Sequence, residues 1–305
     1  MPLTMQVSAD PVRPLPRSFT VEEVMSSPHF AATLEASRDD LLGVHQRLPR
    51  EVRYLADLQR WLLSQATLAV HFEYRTGLSD QPISPTNLLG FLKGTHVSSR
   101  NTTLSFLNEM IYYKLVDPLP SSDKRVRNYI ARPYAEELIR EWFHIHLRAL
   151  DLMDDGNRFA LSQSRPDLLF HAQPRMTRYV LAEREWFDPP AAVAAFVKAD
   201  SGSNLLHHLA ALAADKPVID GKIWIGPISS ARMAQGYLIS QSHTGRLFAK
   251  ARKLGAMGWE KTGHGRDCWL APELVEAYHK WQAVKLSCVA RAVAEAAAAL
   301  QLDEA

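Results

Sequence analysis

The chain has 305 residues, 47% apolar and 22% charged, a balance that supports a packed core at a length suited to two domains. No apolar run approaches the ~18 residues of a membrane span, and two cysteines exclude a disulfide framework and fit a reducing, cytoplasmic setting. The formal net charge of +2 says little by itself; its distribution along the chain says more.

Residues 1–17, with prolines at 2, 11, 14 and 16, read as a flexible arm and not as a secretory signal. Thr20 ahead of Glu22 and Glu23 marks a helix start, and helical signals run from about Val21 to Tyr74 with a break near Pro49. From Tyr54 to Ala69 the apolar residues recur at three and four, the mark of a helix with a buried face. Residues 75–82 read as a loop. Ile83-Ser84-Pro85 then predicts a brief strand, an N-cap serine and a proline in the first helical turn, with a helix over 86–92. After the turn Gly94-Thr95-His96, Ser98 or Ser99 caps a second helix whose inner face is Thr103, Leu104, Leu107, Met110 and Ile111. A strand at 115–117, a turn over 118–123 and a returning strand over 126–131 follow. Pro133 opens a long helix through Leu152.

This order of strand, helix, turn, helix, strand, wing and strand is that of a winged helix-turn-helix. It recurs downstream. Residues 222–228 predict a strand, and Ser229 and Ser230 cap a helix through Leu238. Ser240 and Ser242 cap a longer helix with Leu247, Phe248, Ala251 and Leu254 inward. Strands over 259–261 and 267–271 flank a tight turn, and Pro272 opens a helix to about Gln301. Ile83 and Ser84 match Ile228 and Ser229; Thr103, Leu104, Leu107 and Met110 match Leu247, Phe248, Ala251 and Leu254; Pro133 and Trp142 match Pro272 and Trp281. This alignment puts most of the shortening in the wing and reads as an internal duplication. The expected fold class is mainly α. Two winged helix-turn-helix units with small β-wings, cores 83–133 and 222–272, sit in domains 18–160 and 161–305. Long helices join and flank them about a pseudo-two-fold. The helices from Pro133 and Pro272 are expected to pack together across that axis. The Ala-rich stretch Ala290 to Ala299 offers a face for close packing there or against another chain, so a monomer with an internal pseudo-dimer and a homodimer both stay open.

Charge separates these cores from the rest. Residues 83–133 carry a net +4 and residues 222–272 a net +6, so the remainder of the chain is net −8. Basic residues concentrated on two compact units form the electrostatic footprint of double-stranded DNA binding. In the first unit Ser98, Ser99, Arg100, Asn101, Thr102 and Ser105 occupy the start and outer face of the recognition helix. Arg and Asn suit paired hydrogen bonds to base edges, and Ser and Thr suit phosphates or bases. Lys124, Arg125 and Arg127 fall on the first wing. The corresponding second face holds Ser242, His243, Thr244, Arg246 and Lys250, with Arg266 on its wing.

Residues 97–117 followed by 121–133 resemble the recognition helix and wing of MarR-type winged-helix regulators, with Asp123-Lys124-Arg125 at the family's Asp-x-Arg wing motif. The resemblance covers 55–155 well and 190–301 more weakly. It implies pairing through long terminal helices, binding to pseudo-palindromic operators, and release by a small phenolic or lipophilic effector. Lys114 stands where the family usually has Gly, and Ser105 where it often has Arg. In the second unit Gly258 fits the pattern, while Arg266-Asp267 reverses the motif on a shorter wing.

Other chemistry finds little support. His144 and His146 are two apart on a helix and point to different faces, no Cys/His spacing resembles a zinc site, and phosphate loops and hydrolase or metalloprotease motifs are absent. Cys268 and Cys288 read as small core residues. No cofactor is implied. Trp61, Phe72, Tyr74, Trp142, Phe143, Trp186, Phe187 and Trp281 read first as helical core and second as the wall of an effector pocket. The function expected is sequence-specific DNA binding by a non-enzymatic, cytoplasmic transcription regulator with a small apolar effector as further partner. A plasmid replication initiator-like protein and a protein-interaction scaffold are the alternatives.

Overall fold

A computed structural model describes residues 15–48, 57–120, 127–237, 239–263 and 265–302. The chain is mainly helical. Its first half contains α1 (Val21–Ser26), α2 (Phe30–Arg47), α3 (Leu58–Arg75), α4 (Pro85–Phe91), α5 (Arg100–Tyr112), β1 (Val116–Pro118), β2 (Tyr129–Ala131) and α6 (Pro133–Asp154). Its second half contains α7 (Arg158–Ser164), α8 (Leu168–Ala182), α9 (Arg184–Phe187), α10 (Ala191–Val197), α11 (Gly202–Ala213), β3 (Val218–Ile219), β4 (Lys222–Gly226), α12 (Ser230–Gly236), α13 (Gln241–Lys253), β5 (Met257–Thr262), β6 (Gly265–Leu270) and α14 (Pro272–Leu302).

Side-chain caps fix the helix starts. Thr20 and Glu23 form a reciprocal capping box on α1. Ser84, Ser99, Ser229 and Ser240 each accept a backbone N–H from the first turn of α4, α5, α12 and α13. Arg17, assigned from the sequence to the flexible arm, is held in place: its carbonyl accepts from Arg158 at 2.7 Å and its guanidinium pairs with Glu23.

The two segments share one strand topology. Ile83 bridges Tyr129 of β2, and β2 pairs antiparallel with β1. In the second segment β4 pairs with β6, and β6 with β5, also antiparallel. In both, the strand before the helix pair joins the last strand of the unit, which lies beside the middle one. The second sheet is extended by β3, which pairs with β4.

These pairings correct the sequence alignment. The N-caps Ser99 and Ser240 are 141 positions apart. Thr103, Phe106, Leu107 and Met110 are buried in α5, and Thr244, Leu247, Phe248 and Ala251 are buried in α13, at that same spacing. Leu104 and Ile111, expected inward, are half-buried, and Leu254, also expected inward, is 47% exposed because it caps α13 beyond the last turn. The chain reverses next at Gly255, with φ +68, where the first unit has Lys114 at φ +56. Most of the shortening of the second unit therefore lies between its helices, where Tyr237 to Ser240 replaces Leu92 to Ser99. The α5 start Arg100-Asn101-Thr102 corresponds to Gln241-Ser242-His243, and Ser105 corresponds to Arg246. Gly258 does not occupy the left-handed position. It lies opposite Trp269 in the β5–β6 ladder, and a Cβ there would meet the indole at 2.6 Å.

One continuous core joins the segments. The central helix is α8, which packs along α3 and along α14. Gln173 of α8 donates to the Gln65 backbone and side chain of α3, each at 3.0 Å. The long helices α6 and α14 touch, but the main partner of α6 is α2, and those of α14 are α8 and α1. The expected direct pairing of α6 with α14 is thus displaced by the intervening helices. Ala290, Ala292 and Ala296 are fully buried within this packing, so the Ala-rich face closes inside the chain. In the first unit the Ala131 N–H donates to His71 Nδ1, and His71 Nε2 donates to Glu136 at 2.9 Å, tying α3 to β2 and α6.

Candidate functional site

On α5 the cap geometry assigns the polar run residue by residue. Ser99 accepts from the Thr102 N–H at 3.1 Å, and its hydroxyl lies 2.8 Å from that of Thr102. Ser98, half-buried, bonds the buried Thr103 hydroxyl at 2.7 Å. These serines and Thr102 thus have local partners. Arg100, Asn101 and Ser105 are exposed, and among the described residues their side chains have none. Arg127 is exposed two residues before β2, on the loop side of the strand pair; Lys124 and Arg125 lie outside the described residues. Two other cations of this part of the chain are engaged: Arg60 pairs with Glu109 at 2.8 Å, and Arg132 with Asp117 at 3.2 Å.

On α13 Arg246, Lys250, Arg252 and Lys253 are exposed and unpaired among the described residues, as is Arg266 on β6. Ser242 is exposed, with its hydroxyl 3.2 Å from that of Ser240. His243 is half-buried, and its Nε2 donates to the Asp200 carbonyl at 3.0 Å. Thr244 corrects the sequence assignment. It is fully buried and donates to the Ser240 carbonyl at 3.3 Å, so it belongs to the inner face of the helix and not to the outer one. The correct alignment would have shown this, because Thr103 makes the same back-bond to Ser99. Lys253, two turns beyond Arg246, extends the basic face past the residues picked out from the sequence, and Arg252 adds an exposed cation on the flank of the helix.

The aromatic residues of the flanking helices assemble into a second feature. Trp142 of α6, Trp61 of α3, Trp186 of α9 and Trp281 of α14 form a ladder with ring centroids 5.6, 5.1 and 5.0 Å apart. Trp142 and Trp281 each stand nine residues after the proline that opens their helix, so equivalent positions form its two ends. The ladder borders a cavity of about 230 Å³ that is also lined by Leu58, Leu68, Met110, Ile139, Ile145, Ser203, Asn204, His207 and Lys285. Lys285 is 7% exposed, and burial lowers its amine to about 7. It stands one turn beyond Trp281, as His146 stands one turn beyond Trp142. His146 Nδ1 donates to the Trp142 carbonyl at 2.8 Å, and the buried Nε2 has no partner among the described residues. Burial and the charge of Lys285 hold His146 well below the ordinary histidine range, and burial, Lys285 and Arg38 hold His207 at about 3.

Burial raises both free thiols, Cys268 and Cys288, to about 12, which makes them inert core groups. Among the described residues no three His, Cys, Asp or Glu are placed to hold a metal ion, and no helix is long and apolar enough to cross a membrane. No protein-family model, curated protein or solved structure matches the chain.

Proposed function

We propose that the chain is a sequence-specific double-stranded DNA-binding transcription regulator, in which two winged helix-turn-helix units of MarR-like type place α5 and α13 in successive major grooves. One observation carries this reading. Two helices with the same serine cap, the same buried face and the same following strand pair each present an outward face with polar or basic side chains that have no partner among the described residues. Arg60 and Arg132, by contrast, are paired with acids. Unpaired cations on the exposed face of a capped helix suit phosphates, and Arg100 and Asn101 suit base edges. Because α5 and α13 differ in sequence, the preferred site is asymmetric and one chain covers it. A homodimer would add a further layer.

The test is selection of bound fragments from a random duplex library, followed by anisotropy titration of the best fragment at several salt concentrations. The reading requires one asymmetric site and affinity that falls steeply with salt, by several phosphate contacts' worth of counterion release. Iterated sites would favour the replication-initiator reading. Absence of duplex binding at low salt would refute DNA binding and leave a protein-interaction scaffold.

A further inference from the structure

The DNA-binding reading uses the outer faces of the two units and leaves the tryptophan-lined cavity without a role. Most of its wall is aromatic or aliphatic. An apolar cavity of roughly 150 Å³ already holds benzene, so this one has room for a single-ring ligand. Its one primary amine is Lys285, which is buried yet has no carboxylate or hydrogen-bond acceptor against it among the described residues. A lysine charge without a counter-ion in such surroundings is costly, and the favoured form is the neutral amine, whose lone pair is nucleophilic. The groups around it reinforce this. His146 and His207 are themselves buried and kept neutral, and Asp57, on the cavity wall at the N-cap of α3, is bound by the Arg60 N–H at 2.9 Å.

We propose that Lys285 captures a small aromatic aldehyde within the tryptophan cavity as an imine. The Nζ lone pair forms the C–N bond, the carbonyl π pair moves to oxygen, and one nitrogen proton is passed to that oxygen to give the carbinolamine. The nitrogen lone pair then forms C=N as the hydroxyl takes a proton and departs as water, and the iminium gives that proton back by losing its remaining N–H, so that amine plus aldehyde gives imine plus water. The ring of the aldehyde lies among the indoles, whose faces supply offset or edge contacts. The amine of Lys285 suits a neutral carbonyl better than an acid, because an anion entering this cavity would have to bring a proton for the amine with it. This inference does not rest on the DNA-binding reading.

Benzaldehyde and sodium cyanoborohydride are added to the full chain at pH 7.5, and benzylated lysines are located by peptide mass mapping. At that pH Lys285 holds on the order of several hundredfold more neutral amine than a lysine of ordinary pKa near 10.4. After allowance for its weaker basicity, its labelling should outrun that of every exposed lysine by about tenfold. The labelling rate should rise with pH through a midpoint near 7 and then level off, while exposed lysines keep rising. Lys285→Met should remove the fast phase while the other lysines label as before. The wild-type comparison stands by itself if that variant does not fold. Labelling of Lys285 no faster than that of exposed lysines overturns the proposal. Quenching of tryptophan fluorescence by benzoate with Lys285 unlabelled by benzaldehyde would overturn it too, and would make the cavity an anion site.

Discussion

Between Ser99 and Lys114 the first unit turns Arg100, Asn101 and Ser105 outward, and its Glu109 is paired with Arg60. Between Ser240 and Gly255 the second unit turns Arg246, Lys250, Arg252 and Lys253 outward. The equivalent positions differ in kind: Ser105 against Arg246, Glu109 against Lys250, Asn101 against Ser242. Two helices with one cap and one buried face thus differ on the side that packing does not constrain. The difference assigns a division of labour within the proposed complex. On that proposal the first helix would discriminate bases, and the second would supply affinity for any duplex.

The largest expected effect tests the charge. Removing Arg246, Lys250 and Arg252 together by alanine substitution should cost about 1.5 kcal/mol of DNA affinity per lost charged contact. The slope of log affinity on log salt should also fall by about 1 for each. Anisotropy on both random and selected duplex should show the same loss. If the same variant loses affinity only on the selected site, the second unit is a base reader and the division fails.

Asn101→Ala sharpens the other side of the comparison. It should cost roughly 1–3 kcal/mol on the selected site and little on random DNA. Equal losses on the two would make Asn101 a phosphate contact.

Two stability measurements compare the hairpins and helix ends. Gly258→Val should destabilise the fold by about 1–3 kcal/mol, because the new side chain is forced into the Trp269 indole. The same change at the equivalent Asp117, an exposed partner of Arg132, should cost less than ~1 kcal/mol. Equal melting-temperature losses would show that the glycine is not there for the indole. The smallest effect is at the left-handed residue that follows α5 and α13. Lys114→Gly should stabilise by up to about 1 kcal/mol, and Gly255→Lys should destabilise by a similar amount, in chemical denaturation.

Local signals made part of this molecule legible. Serine caps, the prolines that open α4, α6 and α14, and the three–four apolar spacing act within one or two turns, so the starts of α4, α5, α12 and α13 could be read directly. The basic composition of the two segments was equally plain, because charge needs no structure to be counted. Register between the units was not. Leu247 and Phe248 fit the apolar pattern at either of two offsets, and only strand pairing and burial place them against Phe106 and Leu107. The buried role of Thr244 followed from that register, since a threonine can face water or bond its own helix. The placement of α8 between α3 and α14 was also illegible, because helix periodicity gives a buried face but not the helix that covers it. The tryptophan cavity is the clearest case. Trp61, Trp142, Trp186, Trp281 and Lys285 lie far apart in the chain, each ordinary in its own helix. Only the packing of those helices buries Lys285 on the wall of the indole-lined cavity, with no ion-pair partner among the described residues. The sequence by itself determined the helix starts, the repeated order of elements and the site of the charge. Tertiary structure decided which faces stay open to a partner and which groups are buried, because burial depends on non-local contacts that no short-range pattern encodes.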